Sequence, residues 1–252
     1  MIRWKKSWYL VHRWIGLLVS VQLLAWSIGG FTFSILHIKN VRGEFDIKRN
    51  AESQLDLSGV RLSPQEAIAR ASSEIGVATS VQMAVLRERR GHIVYEFFGA
   101  ESKPLASVDA TSGDVTQRIS ESEAKSAAQD DFAQEVAVAS VALLEGEPPL
   151  EFRGGRMPVY RVDLDHPKQP HIYVCPVTGE ILKRRNKLWR IFDFFWMLHI
   201  MDYGQRVNFN HWLLTGMSVL AITTSASGLV LWWWRIPRWS GRSHRRKEVA
   251  GR

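Results

Sequence analysis

One long apolar stretch decides the fold of this chain: Trp14-Ile15-Gly16-Leu17-Leu18-Val19-Ser20-Val21-Gln22-Leu23-Leu24-Ala25-Trp26-Ser27-Ile28-Gly29-Gly30-Phe31-Thr32-Phe33-Ser34-Ile35-Leu36. No lysine, arginine, aspartate or glutamate lies between Arg13 and Lys39. A helix needs about 20 apolar residues to cross a bilayer. The stretch therefore predicts a first transmembrane helix over residues 9–37.

A histidine stands near each end of this predicted helix. At a rise of ~1.5 Å per residue, His12 and His37 would be about 37 Å apart, one near each edge of the bilayer. At ~100° per residue they return to within about 20° of the same helix face. Gly16 and Gly30 lie close to that face, so a bulky group could approach it.

A second stretch without charges lies near the end of the chain and predicts transmembrane helix 2 over residues 210–234. Basic segments that flank a membrane helix stay on the cytoplasmic side. We therefore expect two segments in the cytoplasm, the arginine-rich residues 235–252 and the basic N-terminal residues 1–8. Both termini inside require an even number of crossings. The aromatic-rich segment 188–204, whose apolar portion is short and interrupted by Arg190 and Asp193, is therefore predicted to be an interfacial helix.

The polar block between the two spans is predicted to lie outside the membrane and to contain a degenerate repeat. The first module, residues 41–125, has a cap-like Ser63-Pro64-Gln65-Glu66, a helix and strand-like segments. The second module, residues 126–187, is predicted to begin with a helix at about 131–144. Each module closes on a turn with a threonine, a glycine and an acidic residue. The pattern predicts an α+β fold, with a helix on an antiparallel sheet in each module.

The composition excludes several classes of protein. The net charge is +8, but the basic residues crowd beside the apolar blocks, so membrane topology explains them better than nucleic-acid binding. Cys175 is the single cysteine, which excludes an intrachain disulfide and a multi-cysteine zinc or iron–sulfur site within one chain. Covalent c-type haem is excluded because the sequence has no Cys-x-x-Cys-His.

The predicted topology brings three histidines to the outer surface of the membrane that the helices span: His37, His199 and His211. Two helices that each offer a neutral imidazole can bind haem iron as a bis-histidine site. The spacing leaves two alternatives open, namely ordinary interfacial anchoring and a site for zinc or another metal. Aromatic and small residues nearby could line a haem pocket, namely Trp26, Gly30, Phe33, Phe195, Trp196 and Met197. The haem propionates could contact a basic side chain, namely Lys39, Arg42 or Arg206.

His12 is predicted to lie at the inner surface, where it has no obvious partner within one chain. It could pair across a homodimer axis, with His244 of the tail, or with a partner subunit.

Several segments resemble the PepSY-associated transmembrane protein family. They are His12-Arg13-Trp14-Ile15-Gly16-Leu17 at the first span, the module ends Thr111-Ser112-Gly113-Asp114-Val115 and Thr178-Gly179-Glu180-Ile181, the pair Leu198-His199 with Gly204, and Gly228-Leu229-Val230-Leu231-Trp232-Trp233 closing the second span. The resemblance implies a bacterial inner-membrane protein with two PepSY-like modules in the periplasm.

Larger members of that family include siderophore-iron reductases that hold b-type haem through membrane histidines. By this resemblance His12, His37 and His199 match candidate ligand positions, and the function would be electron transfer to a ferric siderophore or a periplasmic redox partner. This chain departs from the larger members because it has two spans rather than four and a longer Leu-His segment. The alternative is a non-enzymatic PepSY module that binds or regulates a partner, or an accessory subunit of a larger redox complex.

Overall fold

The computed structural model describes residues 2–48, 55–76 and 80–235, and the predicted basic tail lies outside the described residues beyond position 235. The chain divides into two compact units. The helical unit comprises Met1–Leu36 and Phe192–Arg252, and the sheet unit comprises His37–Ile191.

Two long helices, α1 (Ile2–Ile35) and α6 (Trp212–Arg235), dominate the helical unit. Their apolar windows, Arg13–Ile35 and Trp212–Val230, are only 11% and 6% buried. So much exposed apolar surface would be unstable in water and is expected of side chains that face lipid. These helices are the two predicted membrane spans, and among their exposed side chains are Leu18, Val21, Leu24, Ile28, Phe31, Val219, Ile222, Leu229 and Trp233.

The first helix ends at Ile35, two residues before the predicted end, and His37 does not lie on it. His37 has extended backbone (φ −67°, ψ 119°), and its side chain accepts a hydrogen bond from the backbone N–H of Lys39. It is therefore the N-cap of a short helix, α2 (Ile38–Val41), and capping residues adopt non-helical backbone. The prediction that His12 and His37 share one continuous helix face is wrong for this reason.

Helix α5 spans Lys187–Ile200 and is too short to cross a bilayer. It ends four residues before the predicted Gly204, because Met201 adopts a left-handed φ of 55° that breaks the helix. Within the helical unit, Met201 packs with Val19 of α1 and with Met217 and Ala221 of α6.

The sheet unit holds two four-stranded antiparallel sheets, each with its strands in chain order. The first sheet contains β1 (Met83–Arg89), β2 (His92–Phe98), β3 (Pro104–Asp109) and β4 (Val115–Thr116). The second contains β5 (Val138–Leu144), β6 (Val159–Leu164), β7 (His171–Val174) and β8 (Ile181–Arg185). One helix covers each sheet, α3 (Pro64–Ile75) the first and α4 (Glu121–Asp131) the second. The predicted α+β membrane fold is confirmed.

Both sheet-covering helices begin with the same capping box. Ser63 and Glu66 exchange side-chain and backbone hydrogen bonds at the start of α3, as the sequence predicted. Ser120 and Glu123 do the same at the start of α4.

The predicted helix at 131–144 is wrong. Residues 138–144 form strand β5, where Val138, Val141 and Leu143 pack on the second core. The β-branched valines at these positions favour a strand. The start signal of the real helix, Ser120-x-x-Glu123, lies eleven residues before the predicted start.

A buried tyrosine repeats in both modules and fixes each helix to its sheet. The hydroxyl of Tyr95 on β2 donates to the carbonyl of Leu62 at 2.9 Å, one residue before the α3 cap. The hydroxyl of Tyr160 on β6 donates to the carbonyl of Ile119 at 2.9 Å, one residue before the α4 cap. The two modules therefore repeat a specific hydrogen bond as well as an order of elements.

Replacing Tyr160 by phenylalanine tests this bond. Tyr160→Phe should leave the carbonyl of Ile119 without its donor and lower the protection of α4 and β6 amides by about 1 kcal/mol, or roughly fivefold, in native-state hydrogen exchange. Tyr203→Phe is the matched control, because that ring is 55% exposed. Equal protection in wild type and Tyr160→Phe would show that the bond does not hold the helix.

Candidate functional site

His199 lies on α5 within the helical unit, with its ring between two aromatic side chains of α1. The ring centroid is 6.2 Å from that of Trp26 and 5.8 Å from that of Phe33. Phe33 also packs against Phe192 at 4.6 Å and Trp196 at 6.5 Å. The aromatic surroundings predicted for a histidine here are therefore present around His199.

Side chains from outside α5 bind the last three carbonyl groups of that helix. The amide of Gln22 donates to the carbonyl of Leu198 at 3.2 Å, and the indole N–H of Trp26 donates to the carbonyl of His199 at 2.9 Å. The ring of His211 contacts the carbonyl of Ile200 through Nε2 at 2.9 Å. These carbonyls lack partners within the helix, so the three side chains complete its C-terminal end.

Both ring nitrogens of His211 are occupied. Nε2 must carry the proton to donate to the carbonyl of Ile200, and Nδ1 then accepts from the backbone N–H of Leu214 at 3.4 Å. This assigns the neutral Nε2–H tautomer. His211 therefore binds backbone groups at the start of α6 and at the end of α5. It would have to give up one of these two bonds to bind a metal, so its role as a cofactor ligand stays a prediction.

The ring of His199 is in the opposite state. Its Nδ1 atom is buried and has no hydrogen-bond partner among the described residues. Buried polar atoms are almost always paired, so a buried nitrogen without a partner among the described residues is unusual. His199 therefore fits the role of an axial ligand.

The other two predicted ligands are not brought beside His199 within one unit. His37 belongs to the sheet unit, is exposed, and has its ring 5.4 Å from that of Phe45. His12 lies in α1, and its side chain lies outside the described part of the structure. Within the described residues no group of three or more histidine, cysteine, aspartate or glutamate side chains could hold a metal ion. Within the described part of the helical unit, His199 is thus the one candidate for an axial ligand.

The segment after α5 is organised by two acidic residues that the sequence analysis did not assign. Asp193 is buried and accepts from Arg206 at 2.6 Å. The predicted contact of Arg206 with a propionate stays a prediction. Asp202 accepts from the backbone N–H groups of Asn208, Val207 and Gly204 at 3.0–3.1 Å. The bond from Asn208 is the largest cause that lowers the pKa of Asp202.

A second polar cluster lies within the sheet unit around Glu151. Its carboxylate contacts Nδ1 of His171 at 2.7 Å, Arg190 in the first turn of α5 at 3.1 Å and the hydroxyl of Tyr173 at 3.4 Å. Burial raises the pKa of Glu151, but the hydrogen bond and charge of His171 and the charge of Arg190 outweigh it and lower the pKa to about 2. The cluster was not predicted, because its members are 20 and 39 residues from Glu151.

Residues 95–251 match the protein family described as PepSY-associated TM region. The match covers more than half of the chain and includes the second module, α5 and α6, so the chain belongs to this family. No curated protein and no solved structure gives a significant match.

The capping of α5 can be tested by removing one donor at a time. Trp26→Phe and His211→Ala should each destabilise the helical unit by about 1 kcal/mol, because each leaves a carbonyl without its donor. Thermal unfolding in detergent measures the effect. Trp212→Phe is the control, because that side chain is 83% exposed. A Trp26→Phe protein as stable as the control would contradict the capping role.

The Glu151 cluster predicts a pH-dependent stability. The folded-state pKa of about 2 lies below the ordinary 4.5, so the charged carboxylate stabilises the fold above pH 4.5 and loses this effect as the pH falls toward 2. Glu151→Gln should cost about 2 kcal/mol at neutral pH and progressively less below pH 4.5. Urea unfolding from pH 7 to pH 2.5 measures the difference, with the exposed Glu147→Gln as control. A constant difference over this range would assign the effect to packing instead.

Proposed function

We propose that this member of the family is a b-type haem protein of the bacterial inner membrane. It transfers electrons at the periplasmic surface of that membrane, with His199 as an axial ligand. The observation that carries the proposal is the buried, unpartnered Nδ1 atom of His199. A neutral imidazole with a free nitrogen is a common haem ligand, and a buried polar atom without a partner is rare.

The side chains around His199 support this role. Trp26 and Phe33 flank the imidazole and limit the access of water to it. The hydrogen bond from Trp26 to the carbonyl of His199 fixes the backbone that carries the ring. Bound haem b would supply a one-electron redox couple at this position, which none of the protein's own side chains provides.

We propose His37 as the second axial ligand. In the sheet unit Nδ1 of its exposed ring accepts from the backbone N–H of Lys39 at 3.3 Å, and this long bond can be given up without exposing a buried group. His12 would serve only at an inner site completed by a second copy of the chain or by another subunit.

The proposed orientation places both termini in the cytoplasm and residues 41–187 in the periplasm. The basic residues Arg3, Lys5, Lys6 and Arg13 precede the apolar run that begins at Trp14, and arginines dominate the segment after the second span. Basic flanks stay on the cytoplasmic side. A reporter fused to the C-terminus should therefore be active in the cytoplasm, and a periplasmic signal would overturn this orientation.

Absorption spectroscopy of the purified protein tests the haem proposal. Protein from haem-sufficient cells should show a Soret band and, after dithionite reduction, resolved α and β bands. His199→Ala and His37→Ala should each lose most of the bound haem, since each removes a ligand. His92→Ala should keep it, because that side chain is 73% exposed in the sheet unit and pairs with Asp109.

Two results would count against the proposal. Colourless wild-type protein would exclude the haem function and leave the non-enzymatic binding or regulatory module as the function. Full haem content in both His199→Ala and His37→Ala would place the ligands elsewhere.

The electron acceptor is proposed to be a ferric siderophore or a periplasmic redox protein. Mixing the dithionite-reduced protein, freed of excess reductant, with ferrioxamine B should abolish the α band as the ferric chelate is reduced. An unchanged α band with this chelate would favour a protein acceptor.

A further inference from the structure

The sheet unit contains an apolar groove where its two modules meet, which we call the junction groove. It has a volume of about 780 Å³. Phe98 and Pro104 line it from the first module, and Phe152, Met157 and Leu182 line it from the second. A volume of this size is typical of sites for small organic ligands, which occupy about 300–1,000 Å³.

One cation in the junction groove has no compensating anion. The ammonium of Lys183 donates to the backbone carbonyls of Arg153 at 2.8 Å and Phe152 at 3.5 Å, and lies 4.9 Å from the ring centroid of Phe152. None of the described carboxylates lies within ion-pairing distance of it. Burial first, and then the charges of Arg185 and Arg153, lower its pKa. The groove thus holds a partly buried positive charge that lacks a counterion.

The rim of the groove has the same sign. Three further basic side chains line it, namely Lys103, Arg118 and Arg156, against the single carboxylate of Glu180. Glu180 is itself 3.7 Å from Arg87, outside the groove.

The carboxylates that pair with Arg118 and Arg156 do little to neutralise these two arginines. Arg118 pairs with Glu145 at 3.7 Å and Arg156 with Glu101 at 3.8 Å, and both glutamates are mostly exposed. Exposed ion pairs of this length contribute little and are screened by salt. The junction groove therefore combines an apolar floor with a positive field.

We propose that the junction groove binds a small anionic amphiphile, an aryl or short acyl body with one carboxylate, and that Lys183 binds the carboxylate. The apolar body would lie on Phe152, Met157 and Leu182. The charge and the volume both select this class: a neutral ligand would leave Lys183 uncompensated, and a folded partner would not fit in about 780 Å³. The site is independent of the haem proposal, because all of its residues belong to the sheet unit.

The test uses the full chain in nanodiscs and the probe 2-naphthoate, with its neutral isostere 2-naphthamide as the charge control. Titration by ligand-observed NMR, with empty nanodiscs subtracted, should show saturable binding of the carboxylate and about tenfold weaker binding of the amide. Lys183→Met should weaken naphthoate binding about tenfold and leave naphthamide binding nearly unchanged. Lys125→Met, an exposed lysine on α4, is the matched control and should bind naphthoate like the wild type.

A second variant keeps the test valid if Lys183→Met does not fold. Leu182 is 41% exposed in the groove, so Leu182→Asp should fold and still weaken naphthoate binding by adding a negative charge to the apolar floor. Absence of saturable binding, equal affinity for naphthoate and naphthamide, or wild-type binding by Leu182→Asp would each overturn the proposal. An acidic pentapeptide that displaces naphthoate and binds at least about tenfold more tightly would also overturn it, since the occupant would then be a peptide.

Discussion

The helical unit depends on how the last turn of α5 satisfies its carbonyl groups. The final carbonyl groups of a helix have no hydrogen-bond donors within the helix. Near lipid there is little water to donate to them, so other side chains must do so. Here Gln22 and Trp26 reach out from α1, and His211 reaches back from the start of α6. Because the donors come from the two membrane helices, one helix end fixes the register of all three helices. The same bonds fix the backbone of His199, and so the position of its ring.

This arrangement separates the tasks of two histidines that are only twelve positions apart. His211 is held as a neutral tautomer by one donor and one acceptor on the backbone, so its chemistry is structural. His199 contributes its carbonyl to the capping and keeps a ring nitrogen without a partner. A functional side chain is more precisely placed when its neighbours are rigid. Three backbone N–H groups donate to Asp202, and these bonds hold the segment between the two histidines in place.

The sequence predicts those features that depend on local pattern. The two spans follow from their length and lack of charge, and the cap at Ser63 and Glu66 follows from residue type and spacing. The ligand set could not be predicted in the same way. Spacing shows where a histidine lies along the chain, but the occupation of its lone pairs depends on backbone groups brought near by folding. That is why His211 could not be distinguished from His199.

Two misplaced elements have a similar origin. No glycine or proline lies between Gly30 and Gly43, so no helix-breaking residue marks the end of the first helix beside His37. The reason appears only in three dimensions, where His37 caps a four-residue helix. The second module was misread because an alanine- and valine-rich segment suits a helix or a strand about equally by hydropathy. The capping box at Ser120 and Glu123, fifty-seven positions after its counterpart, would have resolved this ambiguity.

The repeated modules share one hydrogen bond but differ in the side chains at their edges. Tyr95 and Tyr160 each bind the carbonyl that precedes a helix cap, so each core closes in the same way. The residues outside these cores are under no such constraint. The second module places Glu151 beside His171 and Arg190 on one side, and on the other side Lys183 contacts carbonyl groups and the ring of Phe152 but none of the described carboxylates. A carboxylate paired within the fold stabilises it, whereas a partly buried cation without a described counterion is the feature on which the proposed anion site rests.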